Sequence, residues 1–182
     1  MNKSILTFYK VPLLISAVLT VILLALNITR DPLQIAGVVL GALVGTFVLD
    51  TEYLIQAYIL EPGHDFSKTL TSFIKHGDYK RAIEYINYNK DVIQEKTLNS
   101  ALFQIAIALL SIFVVTSSKV TFAKALVMVV FAQTLYKFSE YYFNDKLDEW
   151  FWALKEKPTR SKATIYVGVL IAIFIYCLYL YS

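Results

Sequence analysis

Five long apolar stretches constrain this chain more than any other feature, because each is close to the length that crosses a bilayer as a helix. The hydrocarbon core is about 30 Å thick, and about 20 apolar residues span it as a helix. That core offers no water to an exposed backbone, so a crossing segment has to satisfy its own N–H and C=O groups. The stretches predict membrane helices over 11–28, 33–57, 98–116, 120–143 and 163–181.

The composition supports a membrane protein and excludes several other classes. Hydrophobic residues make up 57% of the 182 residues and charged residues 17%, and the mean hydropathy is +0.56, whereas a soluble domain is usually about a quarter charged. The net charge is only +3, and no five neighbouring residues are Lys or Arg, so we predict no nucleic-acid partner. The single cysteine, Cys177, excludes an intrachain disulfide and a cysteine-based metal site.

The distribution of positive charge predicts the orientation in the membrane. Lys and Arg number two before the first stretch, and six and five in the segments after the second and fourth stretches, against one each after the first and third. Cytoplasmic loops usually carry the excess of Lys and Arg. Five crossings therefore place the N-terminus in the cytoplasm and the C-terminus outside, and we expect the cytoplasmic (inner) membrane as the location.

Two segments between the stretches predict further helices. Residues 64–96 are typical of a cytoplasmic insertion of two short helices, the first capped by Asp65 and ended at Gly77, the second capped by Asp78. Residues 145–154 favour a short helix on the membrane surface, although an extension of the preceding helix explains them equally well. The predicted fold is all-α and polytopic: one membrane domain of five transmembrane helices, a two-helix insertion and a short interfacial helix.

Gly37, Gly41 and Gly45 recur every four residues in the second stretch. Four residues are close to one helical turn, so the three glycines form a flat groove where another backbone can approach. Two interpretations follow. The groove is either a dimerisation face or the surface on which another helix of the same chain packs.

Polar side chains collect at one depth of the predicted bundle. With the orientation above, the cytoplasmic ends of the second, third and fourth stretches meet, and polar residues inside a membrane are costly and often functional. The candidates for chemistry or transport are the charged residues Asp50, Glu52, Lys137 and Glu140, and the candidates for the walls of a polar pocket are Asn99, Gln104 and Gln133.

Two hypotheses account for these polar residues. In the first, they form a pocket open to the cytoplasm, with Lys137 as the counter-ion of Glu52 or Asp50. In the second, they lie near the headgroups, and Lys137 pairs with Glu140 or extends toward water. In a regular helix Glu52 lies on the glycine face and Asp50 about 160° away from it, so the two acids are not expected at one site.

Residues 48–54, with the sequence VLDTEYL, resemble the Pro-Asp-x-Asp-His segment of membrane-bound metal-dependent hydrolase-like proteins, which are small polytopic bacterial membrane proteins. Asp50 stands at the first acid, Glu52 at the second and Tyr53 at the histidine. The resemblance implies a metal-dependent hydrolase site that uses Asp50 and Glu52. Because histidine and thiolate ligands are missing there, we predict no cofactor, with an oxygen-bound divalent cation such as Mg²⁺ or Ca²⁺ as the weaker alternative.

The remaining catalytic patterns are missing from the sequence, which has no Gly-x-Ser-x-Gly and no His-Glu-x-x-His. The leading hypothesis is therefore a non-catalytic membrane protein that packs against a second copy or another membrane subunit within the lipid bilayer. The alternative is a degenerate hydrolase-like enzyme that uses Asp50 and Glu52. The third hypothesis is a small transporter or proton path through Glu52, Lys137 and Glu140.

Overall fold

The computed structural model describes residues 5–26, 31–89 and 96–181, with side chains from Tyr9 onward, and this part of the chain consists of helices joined by short turns. The last residues of the predicted helix 11–28 and residues 90–95 of the predicted insertion lie outside the described residues. The helices are α1 (Ile5–Leu26), α2 (Pro32–Phe47), α3 (Thr51–Ile55), α4 (Asp65–Lys75), α5 (Tyr79–Tyr88), α6 (Ala101–Ser117), α7 (Thr121–Phe143), α8 (Leu147–Trp150) and α9 (Arg160–Tyr181).

Helices α2 and α3 belong to one rod, Pro32–Leu60, which we call the long rod. Asp31 caps it by accepting a hydrogen bond from the Leu33 N–H at 3.0 Å, and the proline occupies the first helical position, where no N–H is needed. A 3₁₀ turn, Val48–Asp50, joins α2 to α3, and a π turn, Gln56–Leu60, ends the rod. The rod is therefore continuous but irregular in its second half.

Helix α7 is the central helix of the fold. It contacts α1, α2, α6, α8 and α9. Over half of its membrane-length segment is buried (56%), against 17% for α1 and α9. The outer helices instead expose apolar side chains, such as Val21 on α1 and Ile165 on α9. Gln133 and Thr134 on α7 therefore face protein, whereas the outward surface of the bundle is suited to lipid.

The bundle has two chemically different ends. We call the end that holds Glu52, Asn99 and Glu140 the polar end; the hairpin α4–α5 packs there against α3 through a cluster that includes Phe66. Tyr181, at the end of α9, packs against Leu23 and Val115 at the opposite end, the far end. The hairpin and the end of α9 thus lie at opposite ends of the bundle, and the side of a membrane that each faces stays a prediction.

Within the described residues, four helical segments are long and apolar enough to cross a membrane: Tyr9–Leu26, the long rod, α7 and α9. Helix α6 is apolar but has 17 residues, a length of about 26 Å. The all-α prediction is confirmed for the described residues, and these helices are consistent with a membrane location. The number of crossings stays a prediction.

The three glycines of α2 pack against α7 of the same chain. A Cβ atom added to Gly41 would overlap the backbone carbonyl oxygen of Phe122, and one added to Gly45 would lie 2.9 Å from the carbonyl oxygen of Leu126. Both distances are shorter than a carbon–oxygen contact allows, so glycine is required for this approach. Of the two interpretations of the groove, the structure shows packing within the chain.

The hairpin α4–α5 follows its sequence signals with one difference. Gly77 has a φ of +72°, and the N–H groups of Gly77 and Asp78 bond back to the carbonyls of Ile74 and Phe73 at 3.0 and 2.9 Å, a Schellman motif. Asp78 caps α5, as its position predicts. The cap of α4 is His64 rather than Asp65, because the imidazole accepts a hydrogen bond from the N–H two residues later.

The predicted surface helix over 145–154 is only one turn long, α8. The chain reverses at Asp145, whose φ is +58°, and the following side chains turn back onto the bundle. Trp150 is 0% exposed, and its ring lies 5.8 Å from that of Phe138. Burying these aromatic surfaces between α7 and α9 removes them from solvent and from lipid alike. The segment therefore packs its aromatic side chains against the bundle at the polar end, and its place relative to a membrane surface stays a prediction.

Candidate functional site

Glu52 lies on α3 and is 1% exposed. Its carboxylate accepts hydrogen bonds from three consecutive backbone N–H groups: those of Thr97 at 2.7 Å, Leu98 at 2.6 Å and Asn99 at 2.9 Å. We call these N–H groups the amide cradle. They precede α6, where no helical carbonyl is available to them, and they lie at the positive end of the helix dipole. The carboxylate therefore joins the long rod to the start of α6.

Lys137 pairs with Glu140 on its own helix. Its Nζ atom lies 2.8 Å from Oε2 of Glu140, and the hydroxyl of Tyr136 donates to Oε1 at 2.7 Å. Glu52, in contrast, receives its donors from the amide cradle. The hypothesis that Lys137 is the counter-ion of Glu52 is therefore corrected, because Lys137 pairs with Glu140 and hydrogen bonds from backbone amides stabilise the charge of Glu52.

Asp50 occupies different surroundings from Glu52. It lines a small opening of about 20 Å³ together with Tyr9, Gln133 and Lys137. One residue separates the two acids in the chain, but one faces this opening and the other faces the amide cradle. The structure does not bring them together as a pair.

The three amides assigned to a polar pocket connect different pairs of elements. Asn99 donates through Nδ2 to a backbone carbonyl of the 3₁₀ turn at 3.3 Å, and Gln133 donates to a backbone carbonyl of α1 at 2.8 Å. Gln104, which is fully buried on α6, accepts a 2.8 Å hydrogen bond from the hydroxyl of Tyr166 on α9. These side chains join neighbouring elements, and within the described part of the chain Asn99 and Gln133 line two different cavities.

A larger cleft, of about 370 Å³, opens at the polar end between α3, α7 and the segment that precedes α6. Its walls carry three ammonium groups, one carboxylate, two side-chain amides and the rings of two tyrosines. We call it the basic cleft, and its polar lining residues are Lys96, Lys137, Lys146, Glu140, Asn99 and Asn144.

The lysines of the basic cleft are positioned by separate parts of the chain. Lys96 is 3% exposed, and its Nζ atom donates to the hydroxyl of Tyr141 at 2.9 Å. Its backbone carbonyl accepts a 2.8 Å hydrogen bond from the indole of Trp152, which fixes the segment before α6. Lys146 follows the reversal of the chain after α7, where its N–H bonds to the carbonyl of Tyr141 at 2.9 Å.

Sequence reasoning expected a polar pocket and named three residues that line this cleft, Asn99, Lys137 and Glu140, but it missed the contribution of Lys96 and Lys146. It counted Lys96 and Lys146 only as loop charges that set the orientation, because they are 50 positions apart and no local pattern relates them. The nearest signal in the sequence is the group Tyr141, Tyr142, Trp150 and Trp152 around the end of the fourth stretch, and such rings indicate only a membrane interface.

The comparisons with known proteins leave the chemistry open. Among the described residues, no group of three or more His, Cys, Asp or Glu side chains is arranged to hold a metal ion. The chain matches no protein-family model, no curated protein and no solved structure. The hydrolase-like resemblance of residues 48–54 stays a prediction.

Proposed function

We propose that this chain is an integral membrane protein that packs against another membrane component, either a second copy or a different subunit, and carries out no catalysis. In this proposal α1, the long rod, α6, α7 and α9 cross the cytoplasmic membrane. The polar end and the hairpin face the cytoplasm, and the end of α9 faces outside. The loop charges and the opposite positions of the hairpin and Tyr181 support this orientation.

The observation that carries the proposal is the state of Glu52. A carboxylate that acts as a base or a metal ligand needs an oxygen within reach of its target. Glu52 is 1% exposed, and hydrogen bonds from the amide cradle occupy both of its oxygens. Glu52, the buried acid among the candidates, thus connects α3 to the segment before α6 and has a structural role. Its separation from Asp50 gives no support to a hydrolase pair, and its separation from Lys137 gives none to a continuous transport path.

A partner has to bind an outward-facing helix, because α7 fills the glycine groove. Helix α9 offers such a surface: Ile165 is 66% exposed and Val169 is 55% exposed, whereas the neighbouring Leu170 is 4% exposed. Lipid covers such a surface well, so exposure alone does not decide between lipid and protein.

Crosslinking in native membranes tests the partner. A photoreactive residue replaces Ile165 or Val169, and the matched control carries it at Leu170. We expect one protein adduct of fixed mass from the two outward positions and none from the buried one. If the outward positions give lipid adducts alone, the packing role is contradicted.

Cysteine labelling tests the orientation independently. The only native thiol, Cys177, is 0% exposed, so Cys177→Ser gives a background without cysteine. We expect a membrane-impermeant maleimide to label Lys119→Cys in intact cells and Ser72→Cys only after permeabilisation. Labelling of both sites from outside, or of neither, would contradict the proposed crossings.

A further inference from the structure

Gln133 carries a buried hydrogen-bond acceptor that its neighbours leave unused. The residue lies on α7 and is 2% exposed. Its side chain meets the carbonyl oxygen of Pro12 on α1 at 2.8 Å, so the amide nitrogen has to be the atom at that contact. The other amide atom, Oε1, accepts no hydrogen bond from any residue that the structure describes. Because a buried amide oxygen without a donor is costly, it calls for a partner from outside the chain.

The small opening beside Asp50 is the space that Gln133 lines. Its volume is about 20 Å³, and α1, the long rod, α5 and α7 all contribute to its walls. A water molecule needs about 10–15 Å³ of such space and about two to four polar partners. The small opening therefore has room for one water molecule but not for a larger ligand.

The charges around the small opening favour a neutral ligand. The Lys137 ammonium lines it from α7, and the Asp50 carboxylate lines it from the long rod. A metal cation there would face the ammonium, and an anion would face the carboxylate. Water can accept a hydrogen bond from the first group and donate one to the second, so it fits both walls.

Lys137 and Gln133 provide a donor and an acceptor for this water. They lie one turn apart on α7, so their side chains share a face of the helix. An ammonium group has three N–H donors, and Glu140 takes one of those of Lys137 at 2.8 Å. A second N–H can donate to the water, which donates in turn to Oε1 of Gln133. Its other proton can meet Asp50, because a carboxylate accepts several hydrogen bonds at once.

We propose that the small opening holds one structural water, which connects Lys137 to Gln133 and Asp50 and so links α7 to the long rod. Asn87 brings α5 of the hairpin to the same opening. The counter-ion hypothesis for Lys137 and Asp50 then takes an indirect form, with a water molecule between the two charges. This site goes beyond the packing role and does not depend on it.

Transfer of magnetisation from water to the protein tests the site, measured by proton-detected solid-state NMR on the full chain in lipid nanodiscs. The probe is the side-chain amide of Gln133. The positive reference is the side-chain amide of Asn144, which is exposed. The negative reference is the backbone N–H of Met128, which lies on the same helix and is 0% exposed.

The variant that fills the small opening is Thr46→Ile, because Thr46 lines it and isoleucine is larger by one heavy atom. Thr116→Ile on α6 is the matched control. The hydroxyls of Thr46 and Thr116 both bond to the carbonyl four residues earlier, but Thr116 is exposed and outside the opening. We expect Gln133 to receive magnetisation about as fast as Asn144 in the unmodified chain and in Thr116→Ile, and to lose this transfer in Thr46→Ile.

Two results would overturn the site. In the first, Gln133 of the unmodified chain receives no more magnetisation than Met128. In the second, the transfer to Gln133 persists in Thr46→Ile, which shows that it does not pass through the small opening. If Thr46→Ile fails to fold, Asn87→Leu replaces a polar wall by an apolar one from the side of α5, and the same loss is required. Asn87 is only partly buried, and its amide bonds within its own helix, so this variant should fold.

Discussion

The long rod meets its neighbours in two different ways along its length. Its first half, α2, lies so close to α7 that a Cβ atom added to Gly41 would overlap the backbone carbonyl oxygen of Phe122. Its second half, α3, meets the segment before α6 through Glu52 and the amide cradle. The first contact is made by uncharged atoms in close packing, and the second buries a carboxylate.

If the bundle crosses a membrane as proposed, the difference shows which interactions can hold a helix inside lipid. Lipid tails are as apolar as leucine, so the hydrophobic effect contributes little to association between helices. Close packing of small residues supplies dispersion energy in the first half. In the second half, a charge-assisted contact repays the cost of burial only because every oxygen has a donor. The two halves should therefore lose stability through different substitutions. Adding an atom to a glycine should destabilise the first half, and removing the charge of Glu52 should destabilise the second.

The largest expected effect comes from Glu52→Ala. The substitution leaves the three N–H groups of the amide cradle buried without their acceptor, and each unsatisfied buried donor costs about 1–3 kcal/mol, so the three together cost about 3 kcal/mol or more. We expect a loss of this size in the free energy of unfolding, measured by denaturant titration of the protein in mixed micelles.

The control for this prediction is Glu61→Ala. Glu61 follows the same rod and is exposed, and exposed substitutions usually change stability by less than about 0.5 kcal/mol. If both variants lose the same small amount, the cradle contributes nothing specific and the contrast between the two halves of the rod disappears.

The next effect is that of Gly41→Ala. The added Cβ overlaps the carbonyl oxygen of Phe122, which belongs to the backbone and cannot rotate away. Overpacking of this kind costs about 1–3 kcal/mol. Gly37→Ala should cost less, because its nearest neighbour is the Thr121 hydroxyl at 2.7 Å, a side-chain atom that can turn.

Gly168→Ala on α9 is the matched control, because no atom lies within 4 Å of its added Cβ. We expect its unfolding free energy to be unchanged or slightly higher, since alanine favours a helix over glycine. Equal losses for Gly41→Ala and Gly168→Ala would show that helix propensity, and not close packing, sets the stability of α2.

The sequence predicts the apolar helices because their signal is local. Runs of apolar residues, the proline after Asp31 and the glycine at position 77 each specify structure within a few residues of themselves. The glycine groove was also visible, since its spacing lies within one helix. The helix that packs against the groove could not be predicted, because the glycine spacing identifies a surface that allows close approach but not which helix packs there.

The candidate site was harder to predict because its contacts are distant in the chain. Glu52 bonds to N–H groups about 45 positions away, and a backbone donor leaves no trace in the residue type that carries it. The irregular turns of the long rod and the reversal at Asp145 also change where side chains point. Polar residues at one depth were recognisable from the sequence, but which of them pair depends on geometry.

A third prediction separates the side chain of Asn99 from its backbone. Asn99→Ala removes two long hydrogen bonds, to Leu49 and to Glu52, each 3.3 Å, but keeps the N–H that bonds to the carboxylate. We expect a loss of about 1 kcal/mol in the free energy of unfolding. Asn99→Asp should lose more in the same titration, because it places a second carboxylate beside Glu52. A larger loss for alanine than for aspartate would show that this contact is not electrostatic.

The smallest effect is expected from Glu140→Gln, which removes the charge from the ion pair with Lys137. That pair is partly solvated, with side-chain exposures of 17% for Lys137 and 37% for Glu140, so we expect a loss of about 0.5 kcal/mol. The same change at Glu52 should cost at least about 2 kcal/mol, because the new amide nitrogen would face N–H donors of the cradle. Measuring the unfolding of Glu140→Gln and Glu52→Gln under the same conditions compares the same substitution at a partly exposed site and at a buried site. Equal losses would mean that burial in the amide cradle does not set the strength of the contact, and the second half of the long rod would then be held by ordinary packing.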